Sequence, residues 1–195
     1  MKKIFMLMVI ALPVVAPAQP ASGFDSKGKI EVYAGYGLLS APDLITGFAN
    51  IFTGALLPGM VEKIDSKGLG TVYGGLDYYA GNRFAVGAQY YYSSYERQYK
   101  MQNGTTATLN TQYHSVLIRG KGMWVNKPAF QLYSALAAGP SFVSAKNDND
   151  ETKNNTEFAF QVSPIGIRVG NHIAFFLEGG FGYQGLVSAG LSARF

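Results

Sequence analysis

The sequence has no cysteine, only two histidines and a single tryptophan among its 195 residues. Without cysteine the chain can form no disulfide, no thiolate nucleophile and no cysteine-based metal site. Charged residues are also scarce, at 14%, and beyond the N-terminal region no apolar run reaches the ~20 residues that a membrane-spanning helix needs. The fold must therefore be held together by backbone pairing and by packing.

What the chain does contain is apolar and aromatic residues that alternate with small and polar ones. Hydrophobic residues make up 48% of the chain, which has 24 glycines, 13 tyrosines and 13 phenylalanines. The segment from Gly185 to Phe195 shows the pattern, with an apolar face of Val187, Ala189, Leu191, Ala193 and Phe195. Period-two alternation predicts strands with one apolar face, as in a membrane β-barrel or in a soluble β-sandwich.

The N-terminus has the pattern of a secretory signal peptide. Lys2 and Lys3 precede a short apolar run, and Ala16-Pro17-Ala18 has the small-x-small form that a signal peptidase cuts. We expect residues 1–18 to be removed and residues 19–27 to form a short periplasmic segment. Loss of the two lysines leaves 14 of the 16 basic residues against 12 acidic ones, and a net charge of +2 does not suggest nucleic-acid binding.

Eight strands are predicted in one domain over residues 28–195. They span residues 28–38, 68–80, 83–98, 112–125, 129–145, 157–169, 172–183 and 185–195. Three connections are tight and have turn chemistry, at Gly81-Asn82, Asn126-Lys127-Pro128 and Gly170-Asn171. The alternate connections, 39–67, 99–111 and 146–156, are longer, and only the last connection, near Tyr183, breaks the pattern by being short.

This sorting of the connections decides between the two β architectures. Short turns at one end and longer loops at the other are typical of the periplasmic and extracellular sides of an outer-membrane barrel. A sandwich has no reason to sort its loops in this way. The sequence therefore predicts an all-β, eight-stranded antiparallel transmembrane β-barrel.

Outward-facing aromatic residues are expected to form two girdles at the membrane interfaces. The girdle near the tight turns would contain Tyr78, Phe84, Trp124, Phe130, Phe175 and Phe195. The girdle near the loops would contain Tyr36, Tyr92, Phe142, Phe158 and Phe181. In the sixth strand Ser163-Pro164 forces a phase change, which predicts a bulge.

Charged residues fall on the inward face, because charges cannot face lipid cheaply. The inward set is Glu31, Asp77, Arg119, Lys121, Arg168, Glu178 and Arg194. These three acids and four bases predict a lumenal network of salt bridges and hydrogen bonds. The network could act as a gate or proton relay, but a structural plug is favoured because side chains nearly fill an eight-stranded barrel.

The other half of the lumen combines tyrosines with small residues. The tyrosines are Tyr33, Tyr73, Tyr91 and Tyr133. They could line a cavity that is open to the outside and holds one small apolar or amphipathic molecule. Alternatively, the glycines permit barrel curvature and the tyrosines fill the space that the glycines leave. The sequence leaves both interpretations open.

The first long loop has apolar residues at helical spacing between Leu44 and Leu57. Asp43 near the start and Pro58-Gly59 at the end frame a short helix. We expect this helix in the first extracellular loop, either as a lid over the barrel mouth or packed against neighbouring strands.

Residues for catalysis are sparse. His114 and His172 are expected at opposite ends of the barrel and cannot share a metal, so neither a metal site nor a cofactor is predicted. His114 and Ser115 are sequential, and in a strand they point to opposite faces. Lipid A deacylases and palmitoyltransferases are also small barrels with serine and histidine in catalytic roles, but the deacylase His-x-Ser spacing is absent. We expect no enzyme; a lipid A acyl hydrolase or transferase is the alternative.

The leader, the alternating strands, the sorted loops and the terminal Gly-Leu-Ser-Ala-Arg-Phe resemble small bacterial outer-membrane proteins of the OmpX, OmpA and OmpW type. Gln19 after the leader and the segment Ser163 to Gly170 resemble barrels of the Bacteroidetes group. The resemblance implies the outer membrane of a Gram-negative bacterium, with membrane lipid, lipopolysaccharide and the barrel-assembly machinery as partners of a monomer. In such families the C-terminal aromatic is part of the assembly signal, which here is Phe195, and its deletion should impair insertion.

Three functional classes follow, in this order. The first is a structural or surface-interaction barrel whose lumen is largely filled. The second is a narrow channel or conduit for a small apolar or amphipathic molecule, which would need a cavity that continues past the charged layer or opens sideways. The third is a lipid-modifying enzyme, which would need a Ser-His pair that the strand register denies.

Overall fold

The protein is a closed barrel of eight antiparallel strands that pair in chain order, with β1 completing the barrel against β8. A computed structural model describes residues 24–40, 64–100, 106–147 and 152–195. The strands are β1 Ile30–Leu38, β2 Ile64–Tyr79, β3 Phe84–Lys100, β4 Thr106–Lys127, β5 Phe130–Asn147, β6 Thr152–Gly170, β7 Ile173–Gly182 and β8 Val187–Arg194. The predicted eight-stranded antiparallel barrel is confirmed. The signal peptide and the helix in the first loop lie outside the described residues.

Alternation along the strands separates an apolar outer surface from a polar interior. In β1, Ile30 and Val32 are exposed on the outside, whereas Glu31 and Tyr33 between and after them are buried. All of the predicted girdle residues are exposed on the outer surface except Tyr92, which is half-buried. Within the described ranges, no helix is long and apolar enough to span a membrane.

The predicted bulge in β6 is present. Tyr133 and Ala135 of β5 pair with Gly166 and Ser163, so that two residues of β6 lie opposite one residue of β5. Pro164 and Ile165 both face outward between the buried Ser163 and Gly166. Because proline has no N–H to donate to the ladder, the bulge places it where pairing is already interrupted.

The two ends of the barrel differ, and we call them the turn end and the loop end. The turn end holds the tight connections between β2 and β3, β4 and β5, and β6 and β7. It is also covered by the chain before β1: the buried Ser26 accepts a hydrogen bond from Asn126 Nδ2 at 2.8 Å, and its own N–H donates to Asn82 Oδ1 at 2.8 Å. These bonds fasten the N-terminal segment across the turn end.

At the loop end, strands β2 to β6 are longer than predicted. We call the added part the loop-end extension: it lies beyond the last pairs with β1 and β7, and includes Ile64 to Gly70 of β2 and Thr152 to Phe160 of β6. The sequence-based assignment of 106–111 and 152–156 to loops was wrong. Both faces of such strands can lie in water, so apolar alternation does not mark them: Thr152 to Phe158 are exposed on both faces.

Candidate functional site

The lumen near the turn end holds a buried ionic cluster. The seven charged residues assigned to the inward face are all 0–4% exposed. Six of them join in one network of ion pairs, which we call the ionic cluster: Glu31, Asp77, Arg119, Lys121, Arg168 and Glu178. Three carboxylates and three cations give this cluster a net charge of zero. The seventh residue, Arg194, forms no ion pair with any described carboxylate.

Glu31 organises the half of the ionic cluster next to the turn end. Its Oε1 lies 3.2 Å from Lys121 Nζ, and its Oε2 lies 3.0 Å from Arg168 Nε. The hydroxyl of Tyr79 donates to the same Oε2 at 2.7 Å. Arg168 uses its two remaining nitrogens on the carbonyl oxygens of Gly170 and Asn171, at 2.9 and 3.0 Å, and so ties the cluster to the β6–β7 turn.

Glu178 organises the other half. Its Oε1 accepts from Arg119 Nη2 and, at 2.7 Å, from the hydroxyl of Tyr133. Asp77 links the two halves, because its Oδ2 lies 3.9 Å from both Arg119 Nε and Lys121 Nζ. A buried charge is tolerated when it is paired and hydrogen-bonded, and this arrangement meets that condition for both glutamates.

Tyrosine rings cover the cations of the ionic cluster. Lys121 Nζ lies 4.2 Å from the ring centroid of Tyr133, and Arg119 Cζ lies 5.1 Å from that of Tyr33. Tyr133 was assigned to the loop-side half of the lumen, but it lies within the charged layer. Cation–π contacts of this kind are strongest where water is excluded, so these tyrosines belong to the electrostatic core as well as to the packing.

The rings of the four predicted lining tyrosines are buried and leave little space. Tyr33, Tyr73, Tyr91 and Tyr133 are 1–4% exposed. A Cβ atom added at Gly75 would lie 2.6 Å from the hydroxyl of Tyr33, and one added at Gly166 would lie 2.3 Å from the ring of Tyr133. This geometry favours the interpretation in which the tyrosines fill the space over the glycines.

The short β7–β8 connection closes the lumen from the loop end. Gln184 in this hairpin is 1% exposed, and its Nε2 donates to Glu178 Oε2 at 2.7 Å and to the hydroxyl of Tyr73 at 3.1 Å. The backbone follows the side chain inward: Thr71 Oγ1 donates to the carbonyl of Tyr183 at 3.0 Å. Between Gln184 and Arg119 the interior void has no room for a water molecule.

A second cavity lies at the turn end, and Arg194 lines it. We call it the turn-end cavity: it has a volume of about 200 Å³ and is lined by Phe24, Lys29, Pro128, Asn171, His172 and Arg194. Arg194 Nη2 donates to the carbonyl of Pro128 at 3.1 Å, whereas its buried Nη1 has no partner among the described residues.

His114 and Ser115 lie on opposite faces of β4. Ser115 is inside the barrel, where its hydroxyl donates to Ser141 Oγ at 2.7 Å. His114 is outside, with Nδ1 2.6 Å from the hydroxyl of Tyr90 and its ring against Tyr92. The two side chains therefore cannot act as a nucleophile and base. Within the described residues, no three His, Asp or Glu side chains are grouped so that they could hold a metal ion.

Among the polar residues of the lumen that sequence reasoning missed are Tyr79, Gln131 and Gln184. Tyr79 lies 2.7 Å from Glu31 and 3.1 Å from Gln131 through its hydroxyl. Strand alternation could have identified two of them, because Tyr79 is two residues from the inward-facing Asp77 and Gln131 is two residues from the inward-facing Tyr133. Gln184 lies in a connection, where parity gives no signal.

No protein-family model matches the chain, and no curated protein matches it. Among solved structures, the N-terminal β-barrel domain of OprF from Pseudomonas aeruginosa is 9% identical, covers 87% of this chain and 98% of its own, and has a TM-score of 0.47. Ail, the attachment invasion locus protein of Yersinia pestis, is 11% identical, covers 87% of this chain and 99% of its own, and has a TM-score of 0.44. These values support no conclusion about what the protein does.

Proposed function

We propose that the protein is an integral outer-membrane barrel with a structural or surface-interaction role, and that its lumen does not conduct. The filled lumen is the observation that carries this proposal. Gln184 from the loop end, the tyrosines of the middle and the ionic cluster together occupy the interior, and the void beside Arg119 cannot admit water. A route for a small molecule would have to displace buried, paired charges, which is costly.

The membrane location follows from an inside-out distribution of side chains. Large apolar residues such as Ile118, Phe158 and Phe195 are 68–75% exposed, while the charges of the ionic cluster are buried. The exposed apolar surface runs around the barrel and far exceeds the few hundred Å² that soluble monomers expose. Lipid is the environment in which such a surface is stable, and a closed barrel leaves no strand edge unpaired there.

The same proposal includes the orientation of the barrel in the membrane and its molecular partners. In this proposal the turn end, with its tight turns, lies in the periplasm and the loop end lies outside a Gram-negative cell, and the protein is one of the small barrels of the OmpX, OmpA and OmpW type. Outer-membrane lipid and lipopolysaccharide would surround a monomer, with Phe195 as part of the signal for the barrel-assembly machinery. Phe195 fits such a role in being 75% exposed at the turn end of the wall.

The loop-end extension is the surface that we assign to interaction. Beyond the girdle residue Phe158 its strands continue past the apolar outer surface, and Thr152 to Glu157 of β6 are exposed on both faces. A sheet in water with a free edge can pair with an extended segment of another molecule. Because the interior is filled, we assign interaction to this external sheet.

Single-channel recording tests the central point. The refolded protein in a planar bilayer is expected to give no reproducible conductance steps, and Arg119→Ala is the comparison because Arg119 borders the interior void. Steps in the unaltered protein that Arg119→Ala changes would overturn the filled-lumen proposal and favour a conduit. Correct folding of both proteins must be confirmed by the change in migration that heating causes for a barrel on a gel.

A further inference from the structure

We propose that the turn-end cavity is a binding site for a phosphate group. The site stands on the cavity and its charges, and only its placement in the periplasm rests on the proposed orientation. Its volume of about 200 Å³ is below the roughly 300–1,000 Å³ typical of pockets for drug-sized ligands. The cavity therefore suits a small anionic group better than a whole organic molecule.

The cavity holds positive charge that nothing described neutralises. The ionic cluster is balanced without Arg194, and Arg194 and Lys29 form no ion pair with a described carboxylate. Glu31, the nearest acid along β1, is occupied by Lys121, Arg168 and Tyr79. An unpaired charge that is buried is costly, and an anion in the cavity would remove that cost.

Arg194 is the residue of the site that is both buried and held in a fixed position. Its side chain is 4% exposed, and a buried nitrogen, Nη1, is left without a hydrogen-bond acceptor. The guanidinium is held in place by Pro128 through Nη2 and by the ring of Phe24, whose centroid lies 4.6 Å from Cζ. Lys29 Nζ lies 5.1 Å from the same ring centroid, so both cations contact Phe24 and line the same cavity.

His172 lines the mouth of the cavity, but its Nδ1 is not a free donor. Its Nδ1 lies 3.3 Å from the carbonyl oxygen of Arg194, which can only accept, so Nδ1 carries the proton of that hydrogen bond. Asn171, His172 and Pro128 are exposed, and the cavity is thus accessible to solutes at this end of the barrel.

The arrangement of the donors favours phosphate over carboxylate. A carboxylate is bound best by the two-pronged face of a guanidinium, but one hydrogen of Nη2 of Arg194 is already donated to Pro128. Nη1 of Arg194, which has no acceptor among the described residues, and the ammonium group of Lys29 lie on separate side chains. A tetrahedral anion accepts single bonds from several directions and fits this geometry.

The surroundings of the cavity add long-range attraction. The turn-end segments 24–29, 80–83 and 127–129 carry Lys27, Lys29 and Lys127, with Asp25 as the acidic side chain among them. Such an excess of positive charge concentrates anions near the mouth of the site. The phosphate could belong to a phospholipid headgroup of the inner leaflet or to a small soluble phosphate.

Calorimetric titration of the refolded full chain tests this proposal. The protein is held in micelles of an uncharged sugar detergent in phosphate-free buffer and titrated separately with inorganic phosphate and with dihexanoyl phosphatidylglycerol. We expect saturable binding of one equivalent with at least one probe. Binding of both would mean that a free phosphate suffices, whereas binding of phosphatidylglycerol alone would identify the headgroup as the source.

Three charge-matched variants locate the site. Lys29→Gln and Arg194→Gln should each weaken binding about tenfold or more, as loss of a charge-assisted hydrogen bond does. Lys127→Gln removes the same charge from the same end, outside the cavity lining, and should weaken binding no more than about twofold, because only a screened long-range attraction is lost. Within the described residues the ammonium group of Lys29 forms no ion pair and lies against the ring of Phe24, so its variant stays informative if Arg194→Gln fails to fold. Absence of saturable binding, or equal weakening by Lys127→Gln, would overturn the proposal.

Discussion

Glycine and tyrosine are matched across neighbouring strands of the lumen. Gly35 faces Tyr73, Gly75 faces Tyr33 and Gly166 faces Tyr133, in each case with a tyrosine atom less than 3 Å from where a Cβ would be. The glycines are needed here because a ring occupies the position of a side chain. A tyrosine therefore gains a buried place for its ring, and its hydroxyl remains free to reach a carboxylate.

Gly166→Ala should lower the free energy of unfolding by about 1–3 kcal/mol, as overpacking of a filled interior does. The new methyl group would lie 2.3 Å from the Tyr133 ring, and that ring is held by Glu178 and Lys121. Urea unfolding of the refolded protein from lipid vesicles measures the loss.

Gly122→Ala is the matched control, because a Cβ at Gly122 meets nothing within 4 Å. Its effect should stay within about 0.5 kcal/mol. If the two variants unfold at the same urea concentration, the tyrosine does not require the space over Gly166.

Glu178→Ala should destabilise the barrel by about 3–5 kcal/mol, since it leaves Arg119 buried without its main partner. Glu157→Ala removes an exposed acid and should cost no more than about 1 kcal/mol. The readout is again the urea midpoint. Equal midpoints for Glu178→Ala and the unaltered protein would show that the ionic cluster does not stabilise the fold. The bilayer should remain silent with either variant.

Among the elements, the strands within the apolar surface could be predicted from sequence and those beyond it could not. The shared inward face of Glu31 and Asp77 and the bulge at Pro164 follow from period-two alternation, whereas the pairing of Glu31 with Asp77 does not, because a slip of two residues keeps the same face. Alternation exists only where one face meets a hydrophobic medium. It is lost in the polar stretch from Thr152 to Thr156, where threonine favours a strand without marking a face.

The loop-end extension should be dispensable for folding. Glu96 of β3 pairs with Asn110 of β4. Replacing residues 97–109 by Asn-Gly would connect these two residues by a two-residue hairpin turn. We expect a barrel that still refolds and has a urea midpoint close to that of the full chain, because the removed residues lie beyond the apolar surface.

The urea midpoint of the Glu178→Ala variant serves as the reference for this comparison, because the same assay should detect its loss of stability. A trimmed protein that fails to refold, or unfolds as early as Glu178→Ala, would show that the extension is part of the stable core.

The β7–β8 hairpin is the element whose role no sequence pattern revealed. Its Gln184 reaches Glu178 and Tyr73 inside the barrel only because Gly182 and Gly185 adopt φ of +139° and +120°. Such backbone favours glycine and turns the connection inward. The local composition predicts a turn at this position, but the direction in which the turn folds depends on the strands around it.

At the scale of the whole molecule, the orientation can be measured directly, since the chain has no cysteine of its own. Lys153→Cys lies in the loop-end extension and Lys127→Cys at the turn end, and both positions are exposed. In intact cells a membrane-impermeant maleimide should label only Lys153→Cys. Both should react after the outer membrane is permeabilised. Labelling of Lys127→Cys in intact cells would contradict the proposed orientation.

The ionic cluster also has a consequence for how the barrel closes. Strands β2 to β6 contribute Asp77, Arg119, Lys121 and Arg168, so the open sheet carries a net charge of +2 on its concave face. The two neutralising acids arrive on the closing strands, Glu31 on β1 and Glu178 on β7. Attraction between opposite charges therefore favours docking of β1 and β7 onto the sheet. An assembly intermediate that lacks either strand keeps an unneutralised positive charge in its ionic cluster. Closure of the wall and neutralisation of the ionic cluster are one event.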